Sequence, residues 1–223
     1  MTGSLTENPR ALTSATIDYY DQHAPAFWDG TKDHDVTQNY DALLGAMETP
    51  SPYTILDVGC GPGRDLAYFR KLGHTAIGLD GSAQFADMAR AHSGAEVWVQ
   101  NFVDLSLPTE RFDGVFANAS LFHVPRDAIN SALTALWGTL VPGGVLFTSN
   151  PRGNDEQGLS GGRFGVYYRD ETWMALFAGL VLKNGSFEPV RQYFRPQNVP
   201  PDQQRWFATV WRKSMREPSQ NPR

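Results

Sequence analysis

The chain has little with which to cross-link itself, cross a bilayer or grip a phosphate backbone. Cys60 is the one cysteine in 223 residues, so no internal disulfide can form. No apolar stretch reaches the ~18 residues of a membrane span, and no basic-then-apolar leader opens the chain. The expectation is a soluble, cytoplasmic protein with no membrane partner. Positive charge is in the minority. Lys and Arg number 19 against 24 Asp and Glu, a formal charge of -5. A nucleic-acid partner is therefore disfavoured, because phosphates call for a basic surface. The five histidines lie scattered at 23, 34, 74, 92 and 123, and no metal site is expected.

Apolar residues make up 41% of the chain, enough for a sizeable core, and the length suits one domain with a decorated edge. Residues 1–50 read as an N-terminal helical cover with a frayed start, built from SATIDYYDQHAPAFWDG and VTQNYDALLGAM around the charged TKDHD. From 51 to 213 strands and helices alternate. TILDV, HTAIGLD, EVWVQ, FDGVFAN and GVLFTSN read as strands, with helical spacing between them and a helix stop at Pro142-Gly143-Gly144. A helix in ETWMALFAGLVLKNG precedes two late strands, EPVRQYFR and RWFATVWR. The pattern predicts an α/β, doubly wound seven-stranded sheet, mostly parallel with an antiparallel C-terminal strand and helices on both faces. Residues 150–170 fit no element and read as a long binding loop at a strand's carboxyl end. Residues 214–223 read as a flexible tail.

The chemistry concentrates at PYTILDVGCGPGRD, where Gly59, Gly61 and Gly63 follow an apolar run that holds Asp57. Glycines there let the backbone turn into a helix and present bare amides to a polar cofactor. Asp57 is expected to tie down those amides, with a direct contact to the cofactor as the alternative. Cys60 reads as a packing residue of the same loop. Asp80 ends the second strand, where a carboxylate accepts hydrogen bonds from a ribose diol, and Gly81 and Ser82 follow. A dinucleotide loop reads G-x-G-x-x-G. Here the third glycine comes one place early, Pro62 interrupts, and Arg64 holds the sixth position. That favours a cofactor without a pyrophosphate.

DVGCGPGRD, GLDGS, Asn101-Phe102, FDGVFANASLFHV and LVPGG together resemble the class I S-adenosylmethionine-dependent methyltransferases. The resemblance implies S-adenosyl-L-methionine as methyl donor, hugged by the glycine loop, with Asp80 on its ribose and Asn101 and Phe102 bordering its adenine. Many members carry aspartate where Asn101 stands. Tyr20 from the cover is expected at the donor carboxylate, and Asn118 faces donor or substrate. His123 reads equally as a satisfied structural histidine and as a group near the chemistry.

The long loop carries Arg152 and Arg163, with Tyr167 and Tyr168 behind them, and Tyr193 and Arg195 lie in the late strands. Arginines converging on a pocket of an acidic protein suit a small anionic or zwitterionic substrate, because guanidinium grips carboxylate through paired hydrogen bonds. A narrower likeness runs through WDGTKDHDVTQNY, FANASLFHVP, SNPRGNDEQGLSGGRFGVYY and QQRWFATVWRK. These stretches resemble the C-terminal methyltransferase domain of ovothiol-biosynthesis enzymes. That resemblance implies methylation of the imidazole π nitrogen of 5-thiohistidine. It also implies a separate sulfoxide synthase upstream, since its histidine-rich iron site is absent here. Asn118, Tyr193, His34 and Asp33 are the candidates for selecting the imidazole tautomer. Asp33, Tyr40, Arg152, Arg163, Tyr167, Tyr168 and Arg195 are the candidates for holding the substrate.

Overall fold

The computed structural model describes residues 8–215. The expected frayed start falls mostly outside that range. Ser214 and Met215, expected in the tail, belong to the last strand, and the rest of the tail lies outside the described residues.

A helical cover comes first. α1 (Pro9–Thr31) begins at Asn8, whose side chain accepts from the Arg10 amide, with proline in the first turn where its missing N–H costs nothing. It runs 23 residues and keeps Pro25 inside it. α2 (Thr37–Leu44) follows the charged connection. The alternating part contains β1 (Thr54–Val58), α3 (Arg64–Lys71), β2 (Thr75–Asp80), α4 (Ala83–Ser93), β3 (Glu96–Val99), β4 (Phe112–Asn118), α5 (Arg126–Thr139) and β5 (Leu140–Pro151). The chain ends through β6 (Glu156–Ser160), β7 (Arg163–Tyr167), α6 (Asp170–Gly179), β8 (Gly185–Arg195) and β9 (Trp206–Met215).

Seven strands form one sheet in the order β3-β2-β1-β4-β5-β9-β8. β9 runs antiparallel to both its neighbours, and the other adjacent pairs are parallel. This is the expected doubly wound class. The chain winds outward from β1 to β3 and then returns to β4 on the other side of β1. The reversal opens a crevice at the carboxyl ends of β1 and β4, where ligands sit in such sheets.

Strand alternation sends Leu56, Val58, Val115, Ala117 and Leu146 to the α5 side. Ile55, Phe116 and Phe147 go to the opposite side, against α2 and α3. Phe116 and Phe147 stack there at 4.9 Å between ring centroids, both fully buried. Each such side chain contributes about 1.5–3 kcal/mol by leaving water. Both sheet faces are therefore covered, and the polar carboxyl ends of the central strands lie between packed layers.

Two elements differ from the sequence reading. α5 stops at Thr139, before Pro142-Gly143-Gly144, because Leu140 already pairs with Phe112 of β4 and a register shift separates that pair from the rest of the ladder. The glycines thus lie in the strand's irregular start. Residues 150–170 do not form an open loop. β6 and β7 pair as a hairpin that turns at Gly161-Gly162, both at positive φ. The hairpin lies on α1, where the Phe164 amide donates to Thr16 Oγ1 at 2.8 Å.

Among the described residues no helix is long and apolar enough to cross a membrane. No cluster of three or more His, Cys, Asp or Glu could hold a metal ion among them.

Candidate active site

A cavity of about 630 Å³ opens between α1, the β7 end of the hairpin and the carboxyl ends of β1, β2 and β4. Its floor is the glycine loop. Gly59, Gly61 and Gly63 have φ of +75°, +52° and +94°. A Cβ on Gly59 would lie 2.4 Å from Ser120 Cβ, and one on Gly63 would lie 2.7 Å from Ala89 Cα. Glycine is required here both by backbone conformation and by close approach. Gly63 serves the α3–α4 packing and does not line the cavity, whereas Gly59, Cys60 and Gly61 do. Burial raises the Cys60 thiol well above its ordinary range, so it packs as a neutral group.

Asp80 ties the loop down. Its Oδ2 accepts from the Gly61 amide and its Oδ1 from the Ser82 amide, each at 2.9 Å. The sequence pattern had pointed to Asp57 for that task, but its buried Oδ2 has no partner and it does not line the cavity. Burial, reinforced by the charge of Asp65, lifts Asp57 far above the usual carboxylate range. Burial also raises Asp80, to about 6, with the backbone amides opposing it. Each Asp80 oxygen keeps a lone pair for a further donor. Ser82 is buried away from the cavity: its hydroxyl accepts from Phe85 N and donates to Asp21. Gly81 lines the cavity, and a Cβ there would lie 2.6 Å from Ile17.

These features fit an adenosyl group. The bare loop leaves room for it, Asp80 can take a ribose diol, and Phe102 with Ile17 supplies apolar surface for a base. Asn101 lines the same end, but much of its amide is committed. Nδ2 donates to Thr13 Oγ1 at 2.8 Å and Oδ1 accepts from the Val103 amide at 3.2 Å.

Above the floor, Tyr20 of α1, His123 and Arg163 of β7 form the roof. Tyr20 OH lies 2.9 Å from His123 Nε2, and Arg163 donates to the same hydroxyl at 3.4 Å. The cavity continues to a second end, which His34, Asp35, Arg64, Asp65, Arg195 and Trp206 border. Arg195 donates to the Asp35 carbonyl at 2.9 Å, and Arg64 grips Asp65 through two nitrogens at 2.7 and 3.1 Å. Asn118 stands on the wall at the end of β4.

Arg163, Arg195, His34, Tyr20 and Asn118 are therefore gathered on one void. Other candidates stand elsewhere. Asp33 is exposed outside it. Arg152 is held by both carboxylate oxygens of Asp170 and packs 4.5 Å over the Phe194 ring. Tyr40 lies behind the wall, donating to Asp65 at 2.5 Å and stacking on Tyr68. Tyr193 is buried and donates to Asn39 Oδ1 at 2.9 Å. Tyr168 packs on Trp173 beneath Arg126, and Tyr167 faces Phe122. Arg64, Asp65, Ser120 and Trp206 also line the cavity, although sequence reasoning assigned them no role there. For Arg64 and Asp65 a signal existed, since they open α3 directly after the glycines.

Residues 56–148 match the model of a methyltransferase domain. A malonyl-[acyl-carrier protein] O-methyltransferase of Enterobacter lignolyticus is 35% identical over 107 residues, 48% of this chain and 42% of that protein. A trans-aconitate 2-methyltransferase of Azoarcus sp. is 34% identical over 116 residues, 51% of this chain and 45% of that one. The chain spans about half the length of the curated relatives it matches. In fold it is similar to Burkholderia thailandensis 1,6-didemethyltoxoflavin-N1-methyltransferase, solved with 1,6-didemethyltoxoflavin and S-adenosylhomocysteine. The TM-score is 0.73 at 21% identity, covering 96% of this chain and 93% of that one.

Proposed function

We propose that this chain is a class I S-adenosylmethionine-dependent methyltransferase that modifies a small anionic or zwitterionic metabolite, with the imidazole π nitrogen of 5-thiohistidine as its acceptor. The observation that carries the small-metabolite reading is the continuity of one void from the donor floor at Gly59 and Asp80 to the charged end at Arg195 and His34. Methyl transfer needs the two reactants in line and in contact, within about 3–3.5 Å. A single cavity shared by donor and acceptor brings them together without further machinery.

When bound, S-adenosylmethionine supplies a methyl already activated on a sulfonium. The protein's task is then to place the nucleophile and exclude water. Asp80 and the glycine loop would hold the nucleoside, and Tyr20 and Arg163 suit its carboxylate or that of the acceptor. Arg195 and Arg64 set positive charge at the far end, with Asp65 and Asp35 as counterparts for an ammonium group. The buried His123 has its pKa lowered to about 4 by burial, so it stays neutral near pH 7. That suits a nucleophile with its own lone pair, such as a ring nitrogen, carboxylate or thiolate.

The family-like stretches around His34, Asn118, Arg163 and Trp206 support 5-thiohistidine as acceptor. Its sulfur would be installed by a separate sulfoxide synthase. An arginine that turns the sulfur away would direct the methyl to nitrogen, and Arg195 stands at the suitable end. A second reading, methylation of a carboxylate, draws on the relatives named for trans-aconitate and malonyl-carrier substrates. A panel of thiolated and plain imidazoles, small polyacids and thiols, incubated with the donor and read by mass spectrometry, decides between them. Methylation of 5-thiohistidine on nitrogen is expected. Methylation confined to polyacids would replace that acceptor with the carboxylate reading.

A further inference from the structure

Behind the acceptor wall lies a chain of polar groups whose hydrogen bonds all run in one direction. Tyr193 OH donates to Asn39 Oδ1 at 2.9 Å. Asn39 Nδ2 donates to Asn118 Oδ1 at 2.9 Å. Asn118 Nδ2 then donates to Asp65 Oδ2 at 3.4 Å. Asp65 also accepts from Tyr40 OH and from Arg64. The four residues come from β8, α2, β4 and the start of α3. Tyr193 and Asn118 project to the same sheet face along one row, through Ala208 of β9 and Ser149 of β5.

The direction is set at the carboxylate end, since the Tyr193 hydroxyl has a second acceptor in the Gln38 carbonyl at 3.3 Å. A carboxylate paired with arginine only accepts, so the Asn118 amide must turn its nitrogen toward Asp65. Its oxygen then faces Asn39, which must offer its own nitrogen and turn its oxygen to the Tyr193 hydroxyl. That hydroxyl keeps its proton, since burial raises its pKa to about 12. Asn39 is fully buried, where an unmatched amide costs about 1–3 kcal/mol.

We propose that Asn118 meets the acceptor as a hydrogen-bond donor of fixed orientation, and that Asn39 and Tyr193, which do not reach the cavity, are the positioning residues that fix it. Asn118 borders the cavity, and only one of its two N–H groups is bonded among the described residues. The atom it recognises therefore carries a lone pair that methyl transfer does not use: a carboxylate oxygen or a thiolate, since a hydrogen bond to the unprotonated ring nitrogen would occupy the nucleophile's only lone pair. The sequence suggested a tautomer-selecting role for Asn118 in which a nearby oxygen takes the ring proton. The fixed amide has no free oxygen for a ring proton; it donates to a carboxylate or thiolate of the acceptor and leaves the ring nitrogen's lone pair to the methyl. This inference rests on the small-metabolite reading for its ligand, but the orientation of the amide can be measured without any acceptor.

The test uses Tyr193→Phe, which removes one hydroxyl, and Asn39→Asp, which keeps the shape but cannot donate to Asn118. The side-chain amide of Asn118 is followed by nitrogen-resolved NMR of the protein saturated with S-adenosylhomocysteine, its signals identified by their loss in Asn118→Ser. Both variants are expected to shift those signals and speed their exchange with water. S-adenosylhomocysteine affinity should stay within about 2-fold. With an acceptor from the panel, kcat should fall about 5- to 10-fold, the scale of one misdirected hydrogen bond, while KM for the donor is unchanged. Unaltered Asn118 signals in both variants overturn the relay, as does a loss of donor affinity equal to the loss of kcat. If the wild-type protein methylates nothing in the panel while the amide signals respond, the acceptor reading falls and the relay stands.

Discussion

Tyr20 and His123 meet at 2.9 Å across the roof of the cavity, joining the cover helix to the loop after β4. His123 Nδ1 lies 2.5 Å from the Phe164 carbonyl, which can only accept, so the proton is on Nδ1 and Nε2 accepts from the tyrosine. Phe164 adjoins Arg163, which donates to the same tyrosine. One imidazole thus ties α1, the β4 loop and the hairpin together around the donor end.

The neutral state of His123 has a measurable consequence. Its pKa falls from 6.5 to about 4, chiefly through burial. The unfolded chain therefore takes up the proton first, and stability from this residue is present above pH 6.5 and lost as pH falls toward 4. The window is worth about 3 kcal/mol. His123→Gln is expected to lower the melting temperature at pH 7.5 and to lower it far less at pH 4.5. An equal deficit at both pH values would contradict the buried neutral imidazole.

Asp80 behaves in the opposite sense. Its pKa rises from 3.8 to about 6, so the folded protein gains the proton first as pH falls. Protonation removes acceptor capacity from the group proposed to hold the ribose. S-adenosylhomocysteine affinity, measured by calorimetry, should be level above pH 7 and weaken progressively below pH 6. Asp80→Asn should bind roughly 10- to 100-fold more weakly, the scale of charge-assisted hydrogen bonds, and should lose the pH dependence. A variant that binds like the wild-type protein would remove Asp80 from the donor site.

Gly59 tests the floor. Alanine there meets Ser120 Cβ at 2.4 Å and must adopt a φ of +75°. Gly59→Ala is expected to cost about 1–3 kcal/mol in stability and to abolish donor binding at micromolar concentrations. Gly138 has an ordinary helical setting and no atom within 4 Å of where a Cβ would stand, so it should accept alanine without loss. Donor affinity and urea midpoints of the two variants give the comparison.

The two hairpin-region arginines should separate cleanly. Arg163 lines the cavity, whereas Arg152 is tied to Asp170 and Phe194 outside it. Arg163→Ala is expected to raise KM for the acceptor or the donor about 10- to 100-fold, as loss of an ionic hydrogen bond does. Arg152→Ala should change the melting temperature and leave both KM values near those of the wild-type protein. A larger kinetic effect from Arg152 would place the substrate beside Asp170 and Phe194, outside the cavity.

Much of the fold was legible because its signals are local. The apolar run before Gly59, the glycines themselves and the carboxylate at Asp80 mark a strand, a turn and a second strand within thirty residues. The antiparallel end was visible in the two late aromatic strands. The hairpin at 156–167 was not, because Glu156–Ser160 carries one large apolar residue, the exposed Leu159, and gains its order from pairing with β7, which itself packs on α1. Site residues split along the same line. Asp80, Gly61 and Asn118 lie at strand ends and were found from their position in the pattern. The arginines and tyrosines of the acceptor side are marked only by residue type, which does not reveal whether a side chain reaches the cavity. Arg152 and Arg163 differ only in that respect. Asn39 could not be found at all, since its role exists only once α2 is laid against β4.

The most direct measurement supplies the wild-type protein with S-adenosylmethionine carrying an isotopically labelled methyl and the acceptor panel, then follows both the label and S-adenosylhomocysteine. Appearance of the labelled methyl on a small anionic or zwitterionic acceptor, matched by an equal amount of S-adenosylhomocysteine and lost in Asp80→Ala, is the expected result. Donor that binds but is never consumed with any small acceptor would contradict the assignment of the cavity to small-metabolite methylation.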